Sequence, residues 1–269
     1  MSGDSSDQVF DTVARRWQLL DLLASGTTDK ATMVEALDVS RSTVNRAVVE
    51  LDELSLIRRG EHGYETTPLG RTALRAYRFT VDTFEGMLAA APVVQRFPRW
   101  FQPSLALFSG CTVALDDADP HRPIRTLVDT LTGADRVRGV HGPARFDLPA
   151  EAREWLLSPD TEADLVFSEA AAEFLEAYHL PDLRRAADAG GLTVGVVDET
   201  FPLTVLVAEG ADWAEVVVAV TGDGGAISGV LVNDRPEAVA WAESFVETYR
   251  DRAAASPMLD SVDSIDSVD

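Results

Sequence analysis

The chain has 269 residues, 46% of them hydrophobic, and 45 acidic against 23 basic side chains give a formal net charge of −22. This apolar content excludes a wholly disordered chain, which needs low hydrophobicity and high charge together. The single cysteine, Cys111, excludes a disulfide framework and fits a reducing compartment.

Residues 1–7 are small, polar and acidic, unlike a signal peptide, and no apolar run approaches the roughly 18 residues that span a bilayer. The chain therefore reads as cytoplasmic, with no membrane partner. Lys30 is the only lysine, so every other basic residue is arginine. Abundant Asp and Glu with almost no Lys is the surface expected of a protein that stays hydrated in concentrated salt, which predicts a halophilic archaeal source. The charge is also uneven. Residues 1–80 hold ten basic and twelve acidic side chains, a balance of −2, and the remainder carries −20. Two segments with such different electrostatics predict two domains with different partners.

In chain order, residues 1–10 read as a disordered start. Val13, Trp17, Leu20, Leu23 and Ala24 then recur at helical spacing from 11 to 24, and Gly26 ends that helix. Thr28 or Asp29 caps a second short helix with Met33, Val34 and Leu37 inward. A turn at Asp38-Val39 leads to Ser40, the N-cap of a third helix over 41–54 with Val44, Val48, Leu51 and Leu54 as its buried stripe. Residues 56–59 and 64–66 read as short strands joined by Gly60-Glu61-His62-Gly63. Thr67-Pro68 starts a new helix, with proline at its first position.

Three helices followed by a hairpin read as a winged helix-turn-helix domain over 11–67. The third helix begins with Arg and short polar side chains, the part that reaches base edges in a major groove. The candidate DNA-binding residues are Ser40, Arg41, Ser42, Thr43, Asn45 and Arg46 on that helix and Arg58, Arg59, His62 and Tyr64 on the hairpin. Arg forks onto guanine, Asn onto adenine, and the wing residues meet backbone or minor groove. The stretch "DVSRSTVNRAVVELDELSLIRRG" followed by "HGYETTPLG" resembles archaeal and bacterial winged-helix regulators, departing at Ser55, where that family usually has glycine, and at the acidic wing tip Glu61.

Residues 68–91 read as one connecting helix with Leu69, Ala73, Ala76, Tyr77, Thr80, Phe84 and Leu88 along a stripe. Such a stripe either packs on its own domain or pairs with a second copy, and a homodimer matches a palindromic operator.

From Pro92 the pattern changes to an α/β domain over 92–253. Strands are expected at 111–115, 136–140, 164–167, 192–197, 203–208, 215–220 and 226–232, the last three as an antiparallel meander turning at Gly222–Gly225. Helices are expected at 123–131, 150–157, 169–177, 181–189 and 236–254. The repetitive acidic tail 254–269 reads as disordered. The pieces "HRPIRTLVDTL", "ADRVRGV", "ADLVFSEAAAEFL", "VVDETFPLTVLVAEG" and "NDRPEAVAWAESFVETYRDRA" resemble archaeal regulators of the methanogenesis-regulator (Fil) type, related to TrmB-like regulators. The resemblance implies a transcription regulator with a phospholipase-D-like, non-catalytic effector domain. Catalysis of that kind needs His-x-Lys motifs, and Lys30 lies inside the helix-turn-helix.

Neither catalysis, metal nor cofactor is expected. Cys111 with His121, His141 or His179 forms no pattern that would activate a nucleophile. Four scattered histidines and one cysteine make no metal cluster, and the 222–225 glycines lack a dinucleotide-binding spacing. For an effector, Arg136, Arg138, His141 and Arg145 gather within ten residues of an acidic domain. They are the candidate site for a small anionic metabolite, the alternative being arginines paired with neighbouring acids. Asp198, Glu199 and Pro202 follow a strand end, where α/β pockets open. The expected function is sequence-specific binding of double-stranded operator DNA. The alternative is a protein-interaction scaffold that binds partners through the same domains.

Overall fold

Two local signals in the sequence become helix starts in the computed structural model, which describes residues 6–117, 119–142, 149–199, 203–222 and 225–255. Asp29 accepts from the Thr32 N–H at 2.8 Å and starts helix α2, Lys30–Leu37. Ser40 accepts from the Thr43 N–H at 3.1 Å and starts α3, Arg41–Glu53. Each cap satisfies an N–H that the helix leaves without an internal partner. Between them Asp38 adopts left-handed backbone (φ 50°), which makes the turn tight. Helix α1 spans Ser6–Ala24 and so reaches back into the segment read as disordered: Val9 packs on the core and Phe10 lies against Tyr77. Its buried face is Thr12, Val13, Leu19, Leu20 and Leu23. Trp17 is instead at the edge, stacked 6.4 Å from Tyr77, and Ala24 is exposed.

Strands β1, Ile57–Gly60, and β2, Gly63–Thr66, pair antiparallel with Gly60 opposite Gly63, so both glycines belong to the strands and Glu61-His62 alone turn the chain. Gly63 (φ +142°) passes close to Thr28, with which Tyr64 exchanges two backbone hydrogen bonds of 2.9 and 3.0 Å. Ser55 sits at φ 57°, the position where the resemblance expected glycine. Leu20, Leu23, Met33, Val44, Leu51, Leu56 and Ile57 form the core of this unit; Leu54 is only partly buried. Helix α4, Pro68–Val94, starts with Thr67 Oγ1 accepting from the Gly70 N–H and crosses the division of the chain into two compact units, between Asp82 and Thr83.

The second unit is built on an eight-stranded mixed sheet. Its strands are β3 (Thr112–Leu115), β4 (Arg136–His141), β5 (Glu162–Ser168), β6 (Leu192–Val197), β7 (Leu203–Glu209), β8 (Ala214–Thr221), β9 (Ile227–Asn233) and β10 (Ala254–Ala255). The order is β10-β6-β5-β4-β7-β8-β9-β3, with β4, β5 and β6 parallel and the other pairings antiparallel. The β7–β8–β9 run is the meander expected from the sequence; Asp223 and Gly224 of its turn lie outside the described residues. Alternation along each strand divides the side chains between two faces. One face carries Val205, Val207, Val218 and Leu231 under α8 (Pro236–Arg250) and the Ala90–Val93 end of α4. The other carries Val137, Leu165, Phe167 and Leu206 under α5 (Arg122–Gly133), α6 (Ala150–Leu156) and α7 (Glu169–Asp188). A sheet buried on both faces explains why its central strands are almost wholly apolar.

Three expectations are corrected here. The helices expected at 169–177 and 181–189 are one helix, α7, with Pro181 inside it. Pro in a helix costs about 3 kcal/mol, but Ala171 on one side of it and Leu183 and Ala186 on the other stay buried against the sheet, and that burial outweighs the missing bond. Helix α8 ends at Arg250 rather than 254, because Ala254–Ala255 turn back to pair with Val196 and Gly195. Cys111 precedes β3 instead of beginning it. The remaining tail, 256–269, lies outside the described residues. No helix among the described residues is long and apolar enough to cross a membrane.

Candidate nucleic-acid interface

Helix α3 divides its residues cleanly. Val44, Ala47, Val48 and Leu51 are buried, whereas Arg41, Ser42, Thr43, Asn45, Arg46 and Val49 are exposed. The period of 3.6 residues leaves the polar side chains of the first two turns on one outward face. Ser40 holds the start of that face: besides its cap bond, its hydroxyl lies 2.8 Å from the hydroxyls of both Ser42 and Thr43. At the far end, Arg16 Nε donates to Glu50 at 2.9 Å and fastens α1 to α3. That hydrogen bond holds the Glu50 carboxyl below its ordinary pKa against the opposing effect of burial, with help from the charges of Arg16, Arg15 and Arg46. The Glu50 charge is thereby paired with its neighbours.

The hairpin residues have different fates. Arg58 and Glu65 are cross-strand partners, and Arg58 Nε donates to Glu65 at 2.6 Å, so this charge is half spent within the hairpin. Arg59 and His62 are exposed, the latter in the two-residue turn. Among the described residues Arg41, Arg46 and Arg59 form no salt bridge. Tyr64 is half-buried, its backbone tied to Thr28. Sequence reasoning missed Lys30, whose Nζ donates to Asn45 Oδ1 at 2.9 Å and lies 5.4 Å from the centre of the Tyr64 ring. The lone lysine thus links the start of α2, the exposed face of α3 and the hairpin. The available signal was its singularity in a chain whose other cations are all arginine.

The second predicted cluster is not brought together. Arg136 lies across from Glu162 on the neighbouring strand, 3.6 Å away. Arg138 donates to Glu243 of α8 at 2.7 Å and to Glu209 of β7 at 3.3 Å. Burial alone would lower the Arg138 pKa, but hydrogen bonds and charge from Glu243 and Glu209 raise it instead. His141, an odd number of residues away, lies on the opposite sheet face beside Phe167, its Nδ1 2.7 Å from the Gly142 carbonyl, and burial lowers its pKa below 6.5. Arg145 and Pro202 lie outside the described residues, and Glu199 pairs with Arg252 at 3.1 Å. Cys111 Sγ sits 3.8 Å from the Gly86 carbonyl, and burial pushes its thiol pKa up, away from nucleophilic use. Among the described residues no three His, Cys, Asp or Glu side chains could hold a metal ion.

Residues 120–252 match the family model of the methanogenesis regulatory protein FilR1, middle domain, and residues 7–88 match that of the HVO_A0261 N-terminal domain. No curated protein is significantly similar to the chain. Among solved structures, similarity extends to TrmBL2, described as an archaeal chromatin protein with a novel mode of DNA binding. It is 12% identical over 94% of this chain and 100% of that one, with a TM-score of 0.41. NucT from Helicobacter pylori is 10% identical over 54% of this chain and 98% of that one, again with a TM-score of 0.41. The dimethyltransferase RosA from Streptomyces davawensis is 16% identical over 71% and 62%, with a TM-score of 0.23. Likenesses at these scores carry no argument about fold or activity. The family matches state only what the chain resembles: over most of its second unit it is similar to the middle domain of a methanogenesis regulatory protein, and over its first to the HVO_A0261 N-terminal domain.

Proposed function

We propose that the protein is a cytoplasmic, sequence-specific DNA-binding transcription regulator whose first unit is a winged helix-turn-helix. The observation that carries this reading is the outward face of α3, where Arg41, Ser42, Thr43, Asn45 and Arg46 stand exposed behind a capped Ser40. In this reading α3 lies in a major groove, Arg41 and Arg46 read guanine and Asn45 reads adenine. Arg59 and His62 steady the wing on phosphate, and Lys30 shares Asn45 between the protein and the DNA. The second unit is a non-catalytic, phospholipase-D-like sensor; the lysine such chemistry would need is absent from it.

The working form is a homodimer. On α4, Phe84 and Leu88 are 60% and 78% exposed, and Leu69 is exposed on the same helix, an apolar stripe left uncovered within each unit. The composition points to a halophilic archaeal cell, and in molar salt the Debye length is only about 3 Å, so the −20 charge of the second segment does not repel DNA at a distance. The same salt weakens affinity won by displacing counterions, which leaves base contacts to supply most of the specificity.

The test is a gel-shift series in molar KCl comparing the DNA upstream of the protein's own gene with random duplex. A regulator prefers its own region, loses about 5- to 100-fold in affinity on Asn45→Ala, and shows a shallow salt dependence. No specific binding of its own upstream region over random duplex, with neither retarded, would instead point to a nucleic-acid-independent protein-interaction scaffold.

A further inference from the structure

Beneath α5, α6 and α7, over strands β4, β5 and β7, lies a cavity of about 100 Å³. Its wall is largely apolar and includes Leu127, Val137, Trp155, Phe167, Leu175 and Leu206. Four of its side chains carry polar atoms, and three of those have partners. Trp155 Nε1 donates to the Ala134 carbonyl at 2.8 Å, and His141 Nδ1 is bonded to Gly142. Asp182 pairs with Arg153 at 3.2 Å and with Arg185. The fourth, His179, is 94% buried (6% exposed), and its Nε2 has no hydrogen-bond partner among the described residues. An unmet polar atom in an apolar interior is costly, and in a folded protein it calls for a specific explanation.

A trapped water is the less complete explanation, because a buried water needs two to four polar partners and the other polar side chains of the wall, Trp155, His141 and Asp182, are already bonded elsewhere. A bound molecule explains it well. Apolar cavities of about 150 Å³ hold benzene, so the volume suits a compact ring. We propose that this cavity is a binding site for a small, uncharged, largely apolar molecule of single-ring size, whose one hydroxyl or comparable polar group satisfies His179 Nε2. A hydroxyl both donates and accepts and so meets either tautomer of the imidazole. An anion is disfavoured: Arg153 and Arg185, which flank the wall residue Asp182, are already engaged by it, and an unpaired carboxylate pays the full cost of burial. The ligand class thus differs from the anionic metabolite expected from the arginines of β4. As an effector site the cavity rests on the regulator reading; as a binding site it stands by itself.

The experiment titrates the full-length, DNA-free protein in molar KCl with phenol, benzene and benzoate by calorimetry. Phenol should bind about tenfold more tightly than benzene, the worth of one hydrogen bond, and benzoate should not bind. His179→Phe should keep benzene binding and remove the advantage of phenol. Ala171→Leu, which fills the cavity, should abolish both; if that variant fails to fold, His179→Phe still decides. The proposal is overturned if phenol keeps its advantage in His179→Phe, if benzoate binds as well as phenol, or if no probe binds. Specific DNA binding without phenol binding would sink the cavity alone, and phenol binding without specific DNA binding would sink the regulator alone.

Discussion

The hairpin turn reads Gly-Glu-His-Gly, and its two glycines are equivalent by sequence; the fold makes them unequal. A methyl group at Gly60 would meet nothing nearer than 3.8 Å, whereas one at Gly63 would lie 2.5 Å from the Thr28 carbonyl oxygen, at a φ of +142°. Gly63→Ala therefore suffers twice. Backbone of that kind costs an L-residue about 1–3 kcal/mol. Relieving the clash means separating Tyr64 from Thr28 and losing two backbone hydrogen bonds, worth about 0.5–1.5 kcal/mol each. Against this stands about 0.4–1 kcal/mol of reduced freedom in the unfolded chain. The net cost is roughly 2–4 kcal/mol, concentrated where the hairpin meets the segment before α2. Hydrogen exchange reads it directly. The amides of Thr28 and Tyr64 should lose about 30- to 1,000-fold protection in Gly63→Ala. In Gly60→Ala they should be unchanged, with overall stability equal or slightly raised. Equal effects of the two substitutions, or full protection in Gly63→Ala, would refute the argument.

Two further outcomes are expected. Ser55→Gly should stabilise the protein by about 0.5–1 kcal/mol in urea denaturation, because the left-handed backbone at Ser55 (φ 57°) costs an L-residue about 1–2 kcal/mol and glycine gives back only part of that in the unfolded chain; a lowered midpoint would contradict it. Burial lowers the His141 pKa below 6.5, so above about pH 6.5 the ring is neutral in both states and its contribution is fully present. As pH falls below that value the unfolded chain binds the proton first and stability declines, by at most about 1.4 kcal/mol per pH unit. Urea midpoints from about pH 7.5 to 5.5 should show a decline that His141→Asn flattens, and parallel slopes would contradict it.

What was legible in the sequence was local. The caps at Asp29 and Ser40, the turn at Asp38 and the start of α4 at Thr67-Pro68 each follow from residues within four positions of one another. So does the exposed face of α3, since helical period alone separates Val44 and Val48 from Asn45 and Arg46. Pairings across the fold were not legible. Lys30 meets Asn45 fifteen residues on, and Arg138 meets Glu209 and Glu243, 71 and 105 residues away. A cluster of arginines looks like an anion site in one dimension. In three dimensions β4 sends Arg138 to the α8 face and His141 to the α7 face, because strand side chains alternate.

The same difference in dimension hid the cavity. A proline normally ends a helix, and reading 169–177 and 181–189 as separate helices leaves His179 in the loop between them, where a histidine is solvated and unremarkable. One continuous helix changes its meaning. Residues 171, 175, 179 and 183 then follow one another at four-residue intervals and share a face, and that face carries Ala171, Leu175, His179 and Leu183, all of them in the cavity wall. Breaking the helix at Pro181 would have exposed the histidine; carrying it through buries an imidazole among hydrocarbons with one nitrogen unmet. Continuity of α7 brings with it a cost in the proline and a second in the histidine. Sheet packing of Leu183 and Ala186 answers the first. Nothing among the described residues answers the second, which is why the balance is completed most simply by a molecule that enters the cavity.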